Sequence, residues 1–452
     1  MGKTSRAAGV VPLFPSLVLL AGCAGSPDVE LSKKASNEIP KVPVPAEHGP
    51  KLAAIADLTP VLERPAPGAR RIGYLHAGSR VSRAEQPYTR EGCAKGFYPV
   101  RPAGFVCAEG SATVDLTHPT LAAMAIQPLL DQSLPYTYAR TTGETPLYER
   151  DPARDGAVRE VGKLKRRAGV AVVGSWSAST PGFEQAERLA LLTSGRFAKA
   201  SDLEAAQPSD FQGIELREKV TLPLAFVVKR GVRKYKLDRE DAEKDKELDY
   251  HTLLPLSGRF RTAHGEKFWA VEGERWVRNK DVTVVLPRST FPDFAVEGQK
   301  WLDVSLVMQT LVAYEGKRPF FVTLVSVGRE VASNAEPVAS DAVQGAPSAA
   351  WGLGTFEVGA KHVTQVGADP FAVRESYQVY DVPWTLELTS GRALYGAYWH
   401  DRFGVEHGPG GIELSPSDAV RMFQWATPAL PDGWHSSTRL ASEAKTFVVL
   451  RK

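Results

Sequence analysis

Thiol chemistry in this 452-residue chain is confined to Cys23, Cys93 and Cys107, and no cysteine follows position 107. Imidazole and carboxylate groups crowd together much later, at His400, Asp401, Glu406 and His407. That donor set suits zinc. Its alternative is a hydrogen-bonded structural His400 beside Trp399, with the other three on a loop surface. Gly408-Pro409-Gly410-Gly411 leads towards Ser415 in the manner of a phosphate cradle, but it lacks a P-loop lysine and the dinucleotide spacing, which leaves a plain loop. Trp384, Tyr398, Trp399 and Trp425 either line a groove for sugar or peptide or pack in a core. The sequence assigns no cofactor and no metal.

Positioning such groups takes elements, and the first of these is a leader. Lys3 and Arg6 precede an apolar stretch from Val10 to Leu20 that Pro12 and Pro15 make unsuitable for a buried helix. Leu20-Ala21-Gly22-Cys23 resembles the bacterial lipobox, which implies a signal peptide over 1–22 and acylation of Cys23. Ala24 in place of Asp implies transfer to the outer membrane, with the protein on its periplasmic side. Acyl chains hold a protein by burying methylenes in the bilayer, without a spanning helix. With Cys23 lipidated, Cys93 and Cys107 remain as a pair, and in an oxidising compartment they are expected to bond. The formal charge of +3 falls to +1 once Lys3 and Arg6 leave with the leader. So small an excess argues against nucleic acid as a partner.

Residues 23–70 carry Pro40, Pro43, Pro45, Pro60, Pro65 and Pro67 among Ala, Ser and charge, the composition of an extended tether. From Arg71 short apolar runs alternate with glycine, as in Gly96-Phe97-Tyr98-Pro99-Val100 and Gly104-Phe105-Val106-Cys107. A stretch of the same character runs from Ser257 to Val285. Both resemble bacterial SH3-type modules, which gives one module at 71–116 and a second within a β-rich middle region, 117–297. The last domain, 298–452, opens with three strand-like runs, two of them joined by Glu315-Gly316-Lys317, which predict an antiparallel sheet. Residues 331–349 read as a low-complexity loop. Ser415 as N-cap, Pro416 at the first helical position and Asp418 near the positive dipole end predict a helix with Ala419, Val420 and Phe423 on its apolar face. The fold class is mainly β, with small SH3-like modules followed by a β-sandwich and a short helix.

This last domain resembles the catalytic domain of the L,D-transpeptidases, the YkuD-like family. The resemblance rests on Gln309 to Gly316, Gly354-Thr355-Phe356, Lys361-His362-Val363-Thr364, Asp381-Val382-Pro383-Trp384, Gly396 to Gly404 and Leu414 to Ala419, about a third of the chain. It implies acyl transfer between peptidoglycan stem peptides by a thiolate, an imidazole base and backbone oxyanion donors. The family's motif is a histidine before Gly-Ala-Tyr-Trp-His, then Ser-His-Gly-Cys, an apolar residue, and Asn or Arg. An ungapped alignment puts Tyr395 at the first histidine, Gly408 at the serine, Pro409 at the second histidine, Gly411 at the cysteine and Glu413 at the Asn or Arg. A phenol titrating near pH 10 is a poor base at neutral pH. The expected catalytic residues are therefore none, and enzyme activity is left open with inactivity expected. Trp384, Tyr395, Tyr398, Trp399 and His400 remain as candidates for binding.

The expected role is a lipid-anchored envelope protein that binds peptidoglycan stem peptides or scaffolds and regulates cell-wall enzymes. An active transpeptidase with an unrecognised nucleophile, and a metal-dependent hydrolase at His400 and His407, are the alternatives. Cys23→Ala is expected to release the protein from membranes on fractionation, and undiminished membrane association would overturn the anchor.

Overall fold

The computed structural model describes residues 39–154, 156–178, 187–237, 247–271, 274–327, 336–337, 352–366, 379–407 and 411–452. Residues 1–22, Cys23, the expected 331–349 loop apart from Glu336–Pro337, Gly408 and Pro409 lie outside the described residues. The chain divides into two units, 1–40 and 41–452, and the described strands and helices all belong to the second. That unit is mainly β, with two described α-helices, Pro119–Ala123 and Pro416–Trp425. Among the described residues no helix is long and apolar enough to cross a membrane.

The tether expected through residue 70 ends earlier. Lys51–Ala54 and Thr59–Leu62 are strands, with Leu52, Ala53, Ala54 and Val61 fully buried. Proline content masked these short apolar runs. Pro60 occupies a strand position although it has no N–H to donate, while Pro65 and Pro67 lie in the turn before Arg71–Leu75. Lys51–Ala54 pairs with Arg80–Ser82 and Ala112–Thr113. Phe97–Pro99 pairs with Phe105–Cys107, and Cys93 is bonded to Cys107 across a 6.0 Å Cα separation. Strand structure therefore begins at Lys51, inside the stretch expected to be a tether.

The middle region holds two small units instead of one module. Thr137–Ala205 forms a seven-stranded sheet, and 224–285 forms two three-stranded sheets. Each ends in the same way. A 3-10 turn, Ala200–Asp202 or Asn279–Asp281, precedes a short strand that pairs with the unit's first strand. Between the two units, Gln207 to Gln212 crosses to the carboxy-terminal domain, where Ile214–Glu215 adds an edge strand to Arg318–Leu324.

In that domain Lys300–Ser305, Thr310–Glu315 and Arg318–Leu324 form the antiparallel meander, turning at Gly316 with φ 61°. The last strand, Thr446–Arg451, runs parallel to Lys300–Ser305 and antiparallel to Gly352–Val366. Ser436–Thr438 pairs with Gly352–Val366 on one side and with Arg71–Leu75 on the other, so the amino-terminal module continues the carboxy-terminal sheet.

Where the modules and the carboxy-terminal domain meet, the buried polar groups are matched. Asp381 is fully buried and accepts from Ala171 N at 2.8 Å and Thr193 Oγ1 at 2.6 Å. His76 stacks on His435 at 4.8 Å, its Nε2 lies 2.9 Å from Thr193 O, and Tyr136 meets His435 at 3.2 Å. Burial holds both imidazoles below their ordinary range. Asp381 is pushed up to about 7, chiefly by burial and against the two donated bonds. A carboxyl raised in the folded state supports folding below its unfolded pKa, near pH 4, and loses that contribution as pH rises to about 7. In urea titrations the wild type should therefore lose more stability than Asp381→Asn between those limits, by on the order of a few kcal/mol. Equal pH slopes would contradict this.

Candidate functional site

The segment carrying the family motif is built from a strand, a loop and a helix. Ala393–Gly396 pairs in parallel with Ile412–Leu414, which sets Tyr395 opposite Glu413. Ser415 caps the helix that follows, its Oγ accepting from Asp418 N at 3.2 Å, with Pro416 in the first turn. Asp418, itself buried, accepts from the Thr323 hydroxyl and from Gly213 N at 3.0 Å, and burial raises its carboxyl to about 6. The helix is thereby fixed both to the meander and to the segment arriving from the middle units.

At the position aligned with the nucleophile there is no room for a side chain. A Cβ placed on Gly411 would lie 2.1 Å from Tyr395 Cε1 and 2.6 Å from its hydroxyl. The φ of Gly411 is not in the left-handed region, so glycine is required here by space and not by backbone conformation. Tyr395 is fully buried and its ring occupies the volume into which a residue at 411 would project.

The structure joins His400 to Glu413. His400 Nε2 lies 2.8 Å from Glu413 Oε2, and the Glu413 residue is fully buried. Nδ1 of the same ring accepts from Arg402 N at 3.0 Å, so the proton is assigned to Nε2, which donates to the carboxylate. With both ring nitrogens engaged, this imidazole is held in place. His407 stands edge-on to it, with ring centroids 4.6 Å apart. Among the described residues, no three of His400, Asp401, Glu406 and His407 bring ligand atoms within 4.8 Å of one another.

The aromatic candidates are packed inward. Trp384 and Tyr398 are each 1% exposed, and Trp384 Nε1 donates to Ser133 O at 2.7 Å. Tyr398 packs on Tyr138 with centroids 4.5 Å apart, and its hydroxyl reaches the face of Gly169, where a Cβ would approach to 2.1 Å. Trp399 and His400 are partly buried. Of the proposed groove, Trp384, Tyr395 and Tyr398 are core side chains that a ligand cannot touch in this conformation. Their spacing in sequence is the same for a groove and for a core, and only the partners across the sheet distinguish the two.

Sequence reasoning passed over a second polar group beside this loop. Ser209, Asp210, Tyr250, His251, His400 and Asp401 line a cleft of about 690 Å³. These residues come from three separate stretches of chain, so no local motif announces them.

No protein-family model matches the chain, and no curated protein matches it either. Solved structures do. An L,D-transpeptidase from Xylanimonas cellulosilytica is 17% identical over 36% of this chain and 65% of its own, with a TM-score of 0.21. One from Stackebrandtia nassauensis is 19% identical over 36% and 62%, with a TM-score of 0.22. Another, solved in complex with imipenem, is 18% identical over 43% and 78%, with a TM-score of 0.24. The chain spans less than two thirds of the first two.

The contact between Tyr395 and Gly411 predicts coupled stability. Gly411→Ala should destabilise the protein by about 1–3 kcal/mol through overpacking, and by less in a Tyr395→Ala background, where the ring is gone. Additive effects in a double-mutant cycle measured by denaturant unfolding would show that the two positions do not compete for space.

Proposed function

We propose that this chain is a non-catalytic cell-envelope protein, lipid-anchored through Cys23, in which an L,D-transpeptidase-type domain serves to bind peptidoglycan or to scaffold and regulate wall-building enzymes. The observation that carries this reading is the filled space at Gly411. Acyl transfer of the family's kind needs a thiolate beside a free imidazole. Here the aligned position bears no side chain, Tyr395 lies where one would project, and both nitrogens of the neighbouring His400 are engaged. Cys93 and Cys107 are tied to each other, far from this loop in sequence.

A structural role is supported further by what has been kept. The capped helix at Ser415, the strand pair that presents Tyr395 and the turn at Gly404 all stand without the catalytic residues. An envelope location outside the cytoplasm agrees with the lipobox and with the disulfide. With Trp384, Tyr395 and Tyr398 in the core, Trp399 and His400 are the binding candidates that remain partly exposed.

Purified protein incubated with tetrapeptide-bearing sacculi should sediment with them and leave the muropeptide profile unchanged. New L,D cross-links, or a covalent acyl adduct lost on mutation within 395–413, would overturn the non-catalytic reading. Failure to sediment would remove direct wall binding and favour a protein partner.

A further inference from the structure

The cleft beside His400 does not depend on the cell-wall reading, and the formally charged side chains of its lining, Asp210 and Asp401, are both acidic. His251 lies at one wall with its side chain 9% exposed. Its Nε2 is 3.0 Å from Phe403 O, and since a carbonyl only accepts, that nitrogen carries a proton. Burial lowers the affinity of this imidazole for a second proton, which leaves Nδ1 with a lone pair. Nδ1 faces Asp401 Oδ1 across 3.7 Å. Two acceptors thus look at each other, and among the described residues nothing donates to Nδ1.

The carboxylates of the lining add further acceptors beside the Gln207 and Gln212 amides and the Tyr250 hydroxyl, which can also donate. Asp401 is 56% exposed and receives one bond, from the Ser209 hydroxyl, which leaves its second oxygen open. Asp210 is exposed at the rim. Arg230 lies 5.9 Å from the Tyr250 ring centre and Arg402 follows Asp401 in the chain, yet among the described residues neither comes within 4.0 Å of a carboxylate of the cleft. Tyr250 and Phe211 flank the imidazole, with centroids 3.9 and 4.4 Å from it. His251 is held in this place at φ 67°, a left-handed conformation uncommon for a residue with a Cβ and one that collects at binding sites.

We propose that this cleft binds a primary ammonium group, with Asp401 and His251 Nδ1 accepting two of its N–H bonds and Asp210 supplying further negative charge at the rim. An ammonium carries three donors and no acceptor, the complement of Asp401 and His251 Nδ1, and aromatic walls favour it over a neutral amine or alcohol. A metal ion fits less well. It needs a closed set of ligands, whereas the structure brings only one imidazole and one carboxylate face to face. The site is assembled from the segment between the two middle units, from the second unit and from the loop after Ala393–Gly396.

Calorimetric titration of the full-length protein with n-butylammonium tests this, with n-butanol as the neutral isostere. Saturable binding of the ammonium and none of the alcohol is expected, with affinity falling about tenfold or more in Asp401→Asn, since a hydrogen bond to a charged group is lost. Asp401 is more than half exposed, so the variant should fold, and its melting curve checks this. Should it not fold, Asp210→Asn takes its place with the same direction expected. Equal binding of amine and alcohol, no saturable binding of the amine, or unchanged affinity in the folded variant would overturn the proposal.

Discussion

One strand, Gly352–Val366, sets the geometry on which the other parts rest. Its first half takes the carboxy-terminal strand Thr446–Arg451, and its second half pairs with Asp381–Leu388 on one edge and Ser436–Thr438 on the other. A bulge between Val358 and Ala360 lies where these partners change over. Through Ser436–Thr438 the same ladder passes to Arg71–Leu75, hundreds of residues earlier in sequence. A slip of one residue here would turn every side chain to the opposite face, so register in this strand is register for both ends of the protein.

The strand also fixes the helix Pro416–Trp425 that follows Gly411. Lys361 is 1% exposed and sends Nζ to the carbonyls of Phe423 and Ala426, at the end of Pro416–Trp425. Burial lowers this amine to about 7, with Lys300 adding a smaller push in the same direction. A donor among the last carbonyls of a helix meets the negative end of the dipole. At the other end Asp418 joins the helix to Thr323 and Gly213. A ten-residue helix is marginal alone, and here both of its ends are tied to separate strands. Phe423 on that helix packs 5.1 Å from Trp384, and Ala419 lies against Gly396, so the strand carrying Tyr395 is placed by the helix that the long strand holds.

Local signals in the sequence were read correctly where the physics is local. The meander from Lys300 to Leu324 follows from short apolar runs around Gly316, and the helix start follows from Ser415, Pro416 and Asp418. The pairing of Cys93 with Cys107 followed from redox compartment and count. What could not be read is what depends on distant partners. Leu52 and Val61 become core only when Tyr98 and Trp434 close over them. Trp384 and Tyr398 become core only through the 117–205 segment, by Ser133 and Tyr138. The ammonium cleft joins His251 and Asp401, which no sequence window contains together.

The exclusion between Tyr395 and Gly411 has a consequence for how the motif can change. With the phenol ring in place, any side chain at 411 meets aromatic atoms well inside van der Waals contact, so a single substitution to cysteine clashes before it can act. With Gly411 in place, replacing Tyr395 by a smaller residue opens a cavity in a fully buried position. Each residue therefore penalises change at the other, and the pair is most stable as it stands. Beside this pair, a buried bond ties the loop residue His400 to Glu413 on the strand opposite Tyr395. The space beside Gly411 is thus taken up by the Tyr395 ring, and packing is what these two positions contribute.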